Sequence, residues 1–230
     1  MLTDSSCDQA KQVSKGFTLI ELLVAMAVAA IMMTLIVGAY WAQTQTSREQ
    51  QMVVEMQQNM RTAINFLKRD IMMAGYELDN DNTLITADAA NLSFRLLADE
   101  DGIDNDGDGA TDEPNEEETI QYSLTDTADD ADALNDDLQR QSGGAAIAGN
   151  IENLEFFYTL VDGTQTTTPA TLEDIRAVGI SILFRTAQET RATDNATYTT
   201  LSTADWGPYN DGFRRQIVRT RVQCRNMLDN

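Results

Sequence analysis

Lys15-GFTLIELLVAMAVAAIMMTLIVGAY-Trp41 is the stretch that organises the chain. From Phe17 to Trp41 it runs 25 residues with one charge, Glu21. A helix rising ~1.5 Å per residue crosses a bilayer core in about 20 residues, so this segment is long enough to span. Lys11 and Lys15 precede it and, by the positive-inside rule, keep the N-terminus cytoplasmic while the rest crosses. The run is too long for the apolar core of an ordinary signal peptide. No apolar stretch precedes Cys7, so that cysteine does not read as a lipoprotein site. Glu21 is the anomaly, because a carboxylate inside a membrane helix is costly and marks function by default. Taken alone, it either reaches the interface or has a partner within the membrane.

Downstream, polar residues dominate from Gln43 to Gln51 without a Pro or Gly. Val53, Met56, Met60, Ile64, Leu67 and Ile71 then recur three or four apart and define one helix face. Gly75 is the expected stop, so one helix is predicted from Phe17 to about Ala74. After it the period becomes two. Leu92-Phe94-Leu96, Ile120-Tyr122-Leu124, Leu154-Phe156-Tyr158-Leu160, Val178-Ile180-Ile182-Phe184 and Val218-Thr220-Val222-Cys224 alternate as about five strands. The predicted fold is α+β: a long N-terminal helix, transmembrane then amphipathic, packed on a mostly antiparallel β-sheet. Cys224 falls on the apolar side of its strand and reads as a buried thiol.

Lys15-Gly16-Phe17-Thr18-Leu19-Ile20-Glu21-Leu22 resembles the class III signal of type IV prepilins and type II secretion pseudopilins. The resemblance implies that a membrane prepilin peptidase cuts after Gly16 and methylates the new amine on Phe17. It also implies that Glu21 pairs with the terminal ammonium of a neighbouring subunit, so that the helix is an assembly handle. The segments Asn59–Tyr76, Gly149–Tyr158, Ala177–Leu183 and Arg214–Val222 are similar to PilW-type minor pilins, with J-type pseudopilins next. A C-terminal disulfide loop like that of major pilins is missing from the pattern, because Cys7 lies in the implied leader and leaves Cys224 unpaired. The implied organisation is a leader over 1–16, a transmembrane and assembly helix over 17–41, an amphipathic stem over 42–75, and an extracytoplasmic β-rich domain over 76–230. The implied location is the inner membrane, single-pass with the C-terminal domain in the periplasm, and then a fibre or the cell surface. Partners are other pilins, met through the N-terminal helix.

The net charge of −21 is concentrated: residues 77–137 hold 21 acidic residues and one basic residue, Arg95. Phosphate binding needs clustered Lys and Arg, so nucleic acid is not an expected partner. The densest stretch, 99–118, reads DEDGIDNDGDGATDEPNEEE. Asp104, Asp106 and Asp108 occupy the first, third and fifth positions of an EF-hand-type calcium loop, with Gly109 at the sixth. Ala110 would offer a carbonyl and Asp112 a further carboxylate. Asn115 stands where a closing glutamate is usual, and Glu113, Glu116 or Glu117 would have to replace it. No helical pattern flanks the loop, so the alternatives are a weak structural Ca2+ site and a solvated acidic loop. With no histidine in the chain and no nucleophile beside a base, an enzyme is not expected. Three functions remain open: a minor pilin that helps start a pilus, a minor pseudopilin of type II secretion, or a binding module for adhesion that presents the acidic loop or the tract Thr159–Thr171.

Overall fold

A computed structural model describes residues 16–75, 83–97, 117–126, 136–140 and 145–227. Helix α1 spans Leu19–Met73. The chain divides into two compact units, Met1–Arg48 and Glu49–Asn230.

In the first unit the helix is apolar on every side and covered on none. Its most hydrophobic 18-residue window has a mean hydropathy of 2.6 and is 0% buried. Leu22, Val24, Met26, Ile31, Leu35 and Tyr40 all stand exposed. A helix that is hydrophobic all round belongs in lipid or among other chains. Its length and composition suit a membrane span.

In the second unit the same helix becomes one-sided. Met56, Met60, Ala63, Leu67, Asp70 and Ile71 are buried, and Val53 and Ile64 pack partly against the same core. The face expected from the three-and-four spacing is the face that packs. Each fully buried side chain of this size contributes about 1.5–3 kcal/mol, so Leu67 and Ile71 anchor the helix to the sheets. The helix ends at Gly75, whose φ of 77° is the left-handed conformation of a helix cap. A Cβ there would meet the Thr83 side chain at 2.8 Å.

Among the described residues eleven strands follow: β1 Leu84–Ala87, β2 Leu92–Leu97, β3 Glu117–Thr125, β4 Asp137–Arg140, β5 Ala146–Ala148, β6 Ile151–Leu160, β7 Gln165–Thr166, β8 Ile175–Arg185, β9 Tyr198–Thr199, β10 Asp205–Trp206 and β11 Arg215–Gln223. They form a five-stranded meander, β1-β2-β3-β4-β5, a four-stranded sheet, β11-β8-β6-β7, and the small pair β10-β9. Every pairing is antiparallel. The five alternating runs are β2, β3, β6, β8 and β11. In place of one sheet there are two larger sheets and a small pair, and β1, β4, β5, β7, β9 and β10 were not foreseen, because runs of two to four residues are too short to display a period of two.

The core joins helix and sheets: Leu67 and Ile71 share one cluster with Phe94, Ile120, Tyr122, Phe156, Tyr158, Ile180 and Phe184. Cys224 lies in it as well, and burial pushes its thiol up to about 12. Strand β8 is covered on both faces. Its second face lies under residues 186–214, where Leu201 touches Gly179 and its amide donates to Ser181 Oγ at 3.0 Å.

Two buried ion clusters tie these parts together. Asp70, on the buried face of α1, accepts from Tyr122 Oη at 2.7 Å and from Arg140 Nε at 2.7 Å. Arg140 also holds Glu118 of β3 at 3.1 Å. Burial first, and the Asp70 charge second, push the Tyr122 phenol far above its ordinary pKa. Arg215, whose side chain is 1% exposed, holds Asp211 at 2.6 Å, Glu152 at 3.0 Å and Asp194 at 3.4 Å. Its guanidinium carbon lies 3.9 Å from the centre of the Tyr209 ring. It pins residues 186–214 onto the sheet.

Removing the acceptor while leaving its donors is the costly change. Asp70→Ala is expected to lower the unfolding free energy of the detergent-solubilised chain by about 3 kcal/mol, and Tyr122→Phe by only about 1 kcal/mol. Denaturant titration followed by near-ultraviolet circular dichroism checks both values; equal small losses would mean that Asp70 is not the hub.

Candidate assembly site at the helix N-terminus

Every helix begins with amides that lack an intrahelical acceptor. Here the first is met by sequence chemistry. Thr18 precedes α1, and its carbonyl accepts from the Leu22 amide at 3.2 Å. Thr18 Oγ1 accepts from the Glu21 amide at 3.3 Å. In return, Glu21 Oε2 accepts from the Thr18 amide at 3.0 Å and from Thr18 Oγ1 at 2.9 Å. This is a reciprocal capping box, threonine at the cap and glutamate three residues on. The signal was present in the spacing Thr18-Leu-Ile-Glu21 but was overshadowed by the membrane position of the charge.

The box gives Glu21 a local role that sequence reasoning missed. Its carboxylate orders the entry to the helix and lies at the positive end of the helix dipole. Glu21 Oε2 is engaged by Thr18, whereas Oε1 has no hydrogen-bond partner among the described residues. Phe17, next to the cap, is 86% exposed. The site therefore offers one open carboxylate oxygen beside an exposed aromatic side chain, at the end of an uncovered apolar helix.

Among the described residues, an added Cβ at Gly16 would meet nothing within 4 Å. The same holds for Gly38. Ala25, Ala27, Ala29 and Ala30 are likewise exposed. Up to Gly38, these small residues are exposed and pack against nothing among the described residues.

The calcium-loop positions Asp104, Asp106, Asp108, Ala110, Asp112, Glu113 and Glu116 lie outside the described residues. The strands on either side are described: Leu97 of β2 pairs with Glu117 of β3. The expected loop 99–118 therefore overlaps strand β3 at its end. Glu118 is held by Arg140, which commits it to the fold. Among the described residues no three acidic or cysteine side chains are grouped to hold a metal.

Residues 11–37 match the family model of the prokaryotic N-terminal methylation motif. No curated protein sequence matches the chain. Among solved structures, a type IV-like pilin from Thermus thermophilus, TTHA1219, aligns with a TM-score of 0.49 and 16% identity, over 74% of this chain and 95% of that one. The chain thus carries the N-terminal methylation motif at the start of one long apolar helix that is followed by antiparallel sheets. The matched residues include the start of the uncovered apolar helix, whose length and composition suit a membrane span.

The capping box makes a prediction of its own. Thr18→Val removes the hydroxyl that both donates and accepts, and a lost cap costs about 1 kcal/mol. Amide exchange at residues 19–22 in detergent micelles is expected to quicken about fivefold, with residues 50–70 unchanged. Unchanged exchange at the N-terminus would remove the box from the account.

Proposed function

We propose that this chain is a minor type IV pilin that helps to start pilus assembly after its leader is removed. A prepilin peptidase cuts between Gly16 and Phe17 and methylates the Phe17 amine. The apolar helix then stays in the inner membrane, with the β-rich unit in the periplasm, until it joins other pilins. The open oxygen of Glu21 is the observation that carries this reading. A carboxylate and an ammonium in hydrocarbon are each expensive alone and attract strongly when paired. A neighbouring subunit that brings its terminal ammonium to Oε1 would complete the site. The exposed Gly38 and the alanines would let helices approach closely. The minor role is favoured over the major one because Cys224 is buried in the core, away from any C-terminal disulfide loop. The same chemistry would serve a minor pseudopilin, and the machinery that loses function when the gene is deleted separates the two.

Glu21→Ala makes the helix more apolar, so insertion and processing are expected to persist. Incorporation into sheared fibres is expected to fall at least about tenfold, with Glu21→Gln recovering little because it restores shape without charge. Quantitative immunoblots of the membrane and fibre fractions measure both steps. Normal incorporation of both variants would remove Glu21 from assembly.

We further propose that residues 104–116 take a calcium ion that orders the connection between β2 and β3. The pairing of Leu97 with Glu117 favours this reading: it brings the two ends of an acidic stretch together, so a cation need close only what lies between. Alternate carboxylates suit the many oxygen ligands of Ca2+ better than the strict octahedron of Mg2+. An affinity on the order of 10⁻⁴ to 10⁻³ M is expected. Millimolar Ca2+ is expected to raise the melting temperature of the full chain through linkage, and Asp104→Ala with Asp108→Ala to abolish the rise. No shift in differential scanning fluorimetry, or an equal one with Mg2+, would leave the stretch a solvated acidic connection.

A further inference from the structure

In the first unit the helix carries no charge between Leu22 and Ala39. The hydroxyl in that stretch, Thr34 Oγ1, donates to the Ile31 carbonyl at 2.7 Å. No side chain there asks for water. Both ends of the stretch do, for different reasons.

At one end stand Tyr40 and Trp41, 68% and 71% exposed. Tyr40 Oη and Trp41 Nε1 have no hydrogen-bond partner among the described residues. Each ring is an apolar body with one polar handle, the chemistry of side chains that settle where acyl chains meet headgroups. Residues Gln43 to Arg48, which follow, are all polar. At the other end α1 begins at Leu19. The capping box supplies an acceptor for the Glu21 amide, but the amides of Leu19 and Ile20 have none among the described residues. Hydrocarbon does not tolerate unpaired amides, so this end also belongs at a polar boundary.

The helix fixes the distance between these two marks. From Leu19 to Tyr40 it rises about 32 Å, at ~1.5 Å per residue. The hydrocarbon core of a bilayer is about 30 Å thick. An aromatic pair and a helix start, which have no chemistry in common, are therefore set one bilayer core apart.

We propose that in the unassembled chain Tyr40 and Trp41 bind the headgroup boundary of one leaflet, while Thr18 and Glu21 lie at the headgroup boundary of the other. The partner of this surface is a phospholipid bilayer. The inference rests on reading the first unit as a membrane span, and it goes further by assigning the depth of Glu21: the carboxylate is at a wetted boundary and not within the hydrocarbon. In the lone chain, water and headgroups stabilise its charge. A neighbour's ammonium takes their place only where helices crowd together and exclude them.

The test reads depth at both ends of the full chain in phosphatidylcholine vesicles, with bromine carried either high on the acyl chains or near their ends. The chain has two tryptophans, so Trp206→Phe leaves Trp41 as the fluorescent side chain. Trp206→Phe and Trp41→Phe with Phe17→Trp moves the indole to the cap end. In both chains shallow bromine is expected to quench at least about twice as strongly as deep bromine. Quenching that is equal at the two depths, or stronger from deep bromine, at either position overturns the proposal. It leaves the span itself standing, because flotation of the chain with the vesicles measures that separately. A chain that does not float overturns both.

Discussion

One helix has to satisfy two different solvents. Up to Trp41 its side chains are apolar all round and uncovered; from Met56 to Ile71 they are apolar on one face and buried there. Backbone hydrogen bonding inside a helix is indifferent to that change, which is why the element continues from Leu19 to Met73. Side chains are not indifferent to it. The first part demands lipid or neighbouring helices, and the second finds its cover in the sheets of its own chain. At the N-terminus, the capping box leaves one Glu21 oxygen open.

That residue can be understood in two stages. Within a lone chain, Thr18 supplies two donors to one carboxylate oxygen, which lessens the cost of the charge and starts the helix cleanly. On the proposed reading, cleavage at Gly16 then creates an ammonium on Phe17, and a neighbour's ammonium becomes the partner for the other oxygen. The cap and the assembly contact use different oxygens of one carboxylate, so the first need not break for the second to form. On the same proposed reading, Gly16, where a Cβ would meet nothing among the described residues, would be glycine so that a peptidase can reach the backbone.

Much of this was legible in the sequence because it rests on local periodicity. The helix face from Val53 to Ile71 and the five long strands follow from spacings of three to four and of two. The short strands carried too few residues to show a period. The second cover over β8 was illegible for another reason: residues 186–214 hold it through polar groups, such as Ser181 with Leu201 and Arg215 with Asp194 and Asp211, not through an apolar pattern. Asp70 and Arg140 are 70 positions apart in the chain, and no local rule joins them. At the candidate site the charge of Glu21 was read for its membrane cost, while its partnership with Thr18 was equally local and went unread.

The account rests most heavily on the boundary between Gly16 and Phe17, since the free amine made there is what the open carboxylate is proposed to recognise. Intact-mass spectrometry of the full chain extracted from membranes, with and without an active prepilin peptidase, measures that boundary directly. The predicted result is a protein that begins at Phe17 and carries the mass of one added methyl group when the peptidase is present, and that keeps residues 1–16 when it is absent. A protein that keeps those residues in both cases, or that begins at another position, would contradict the account at its centre.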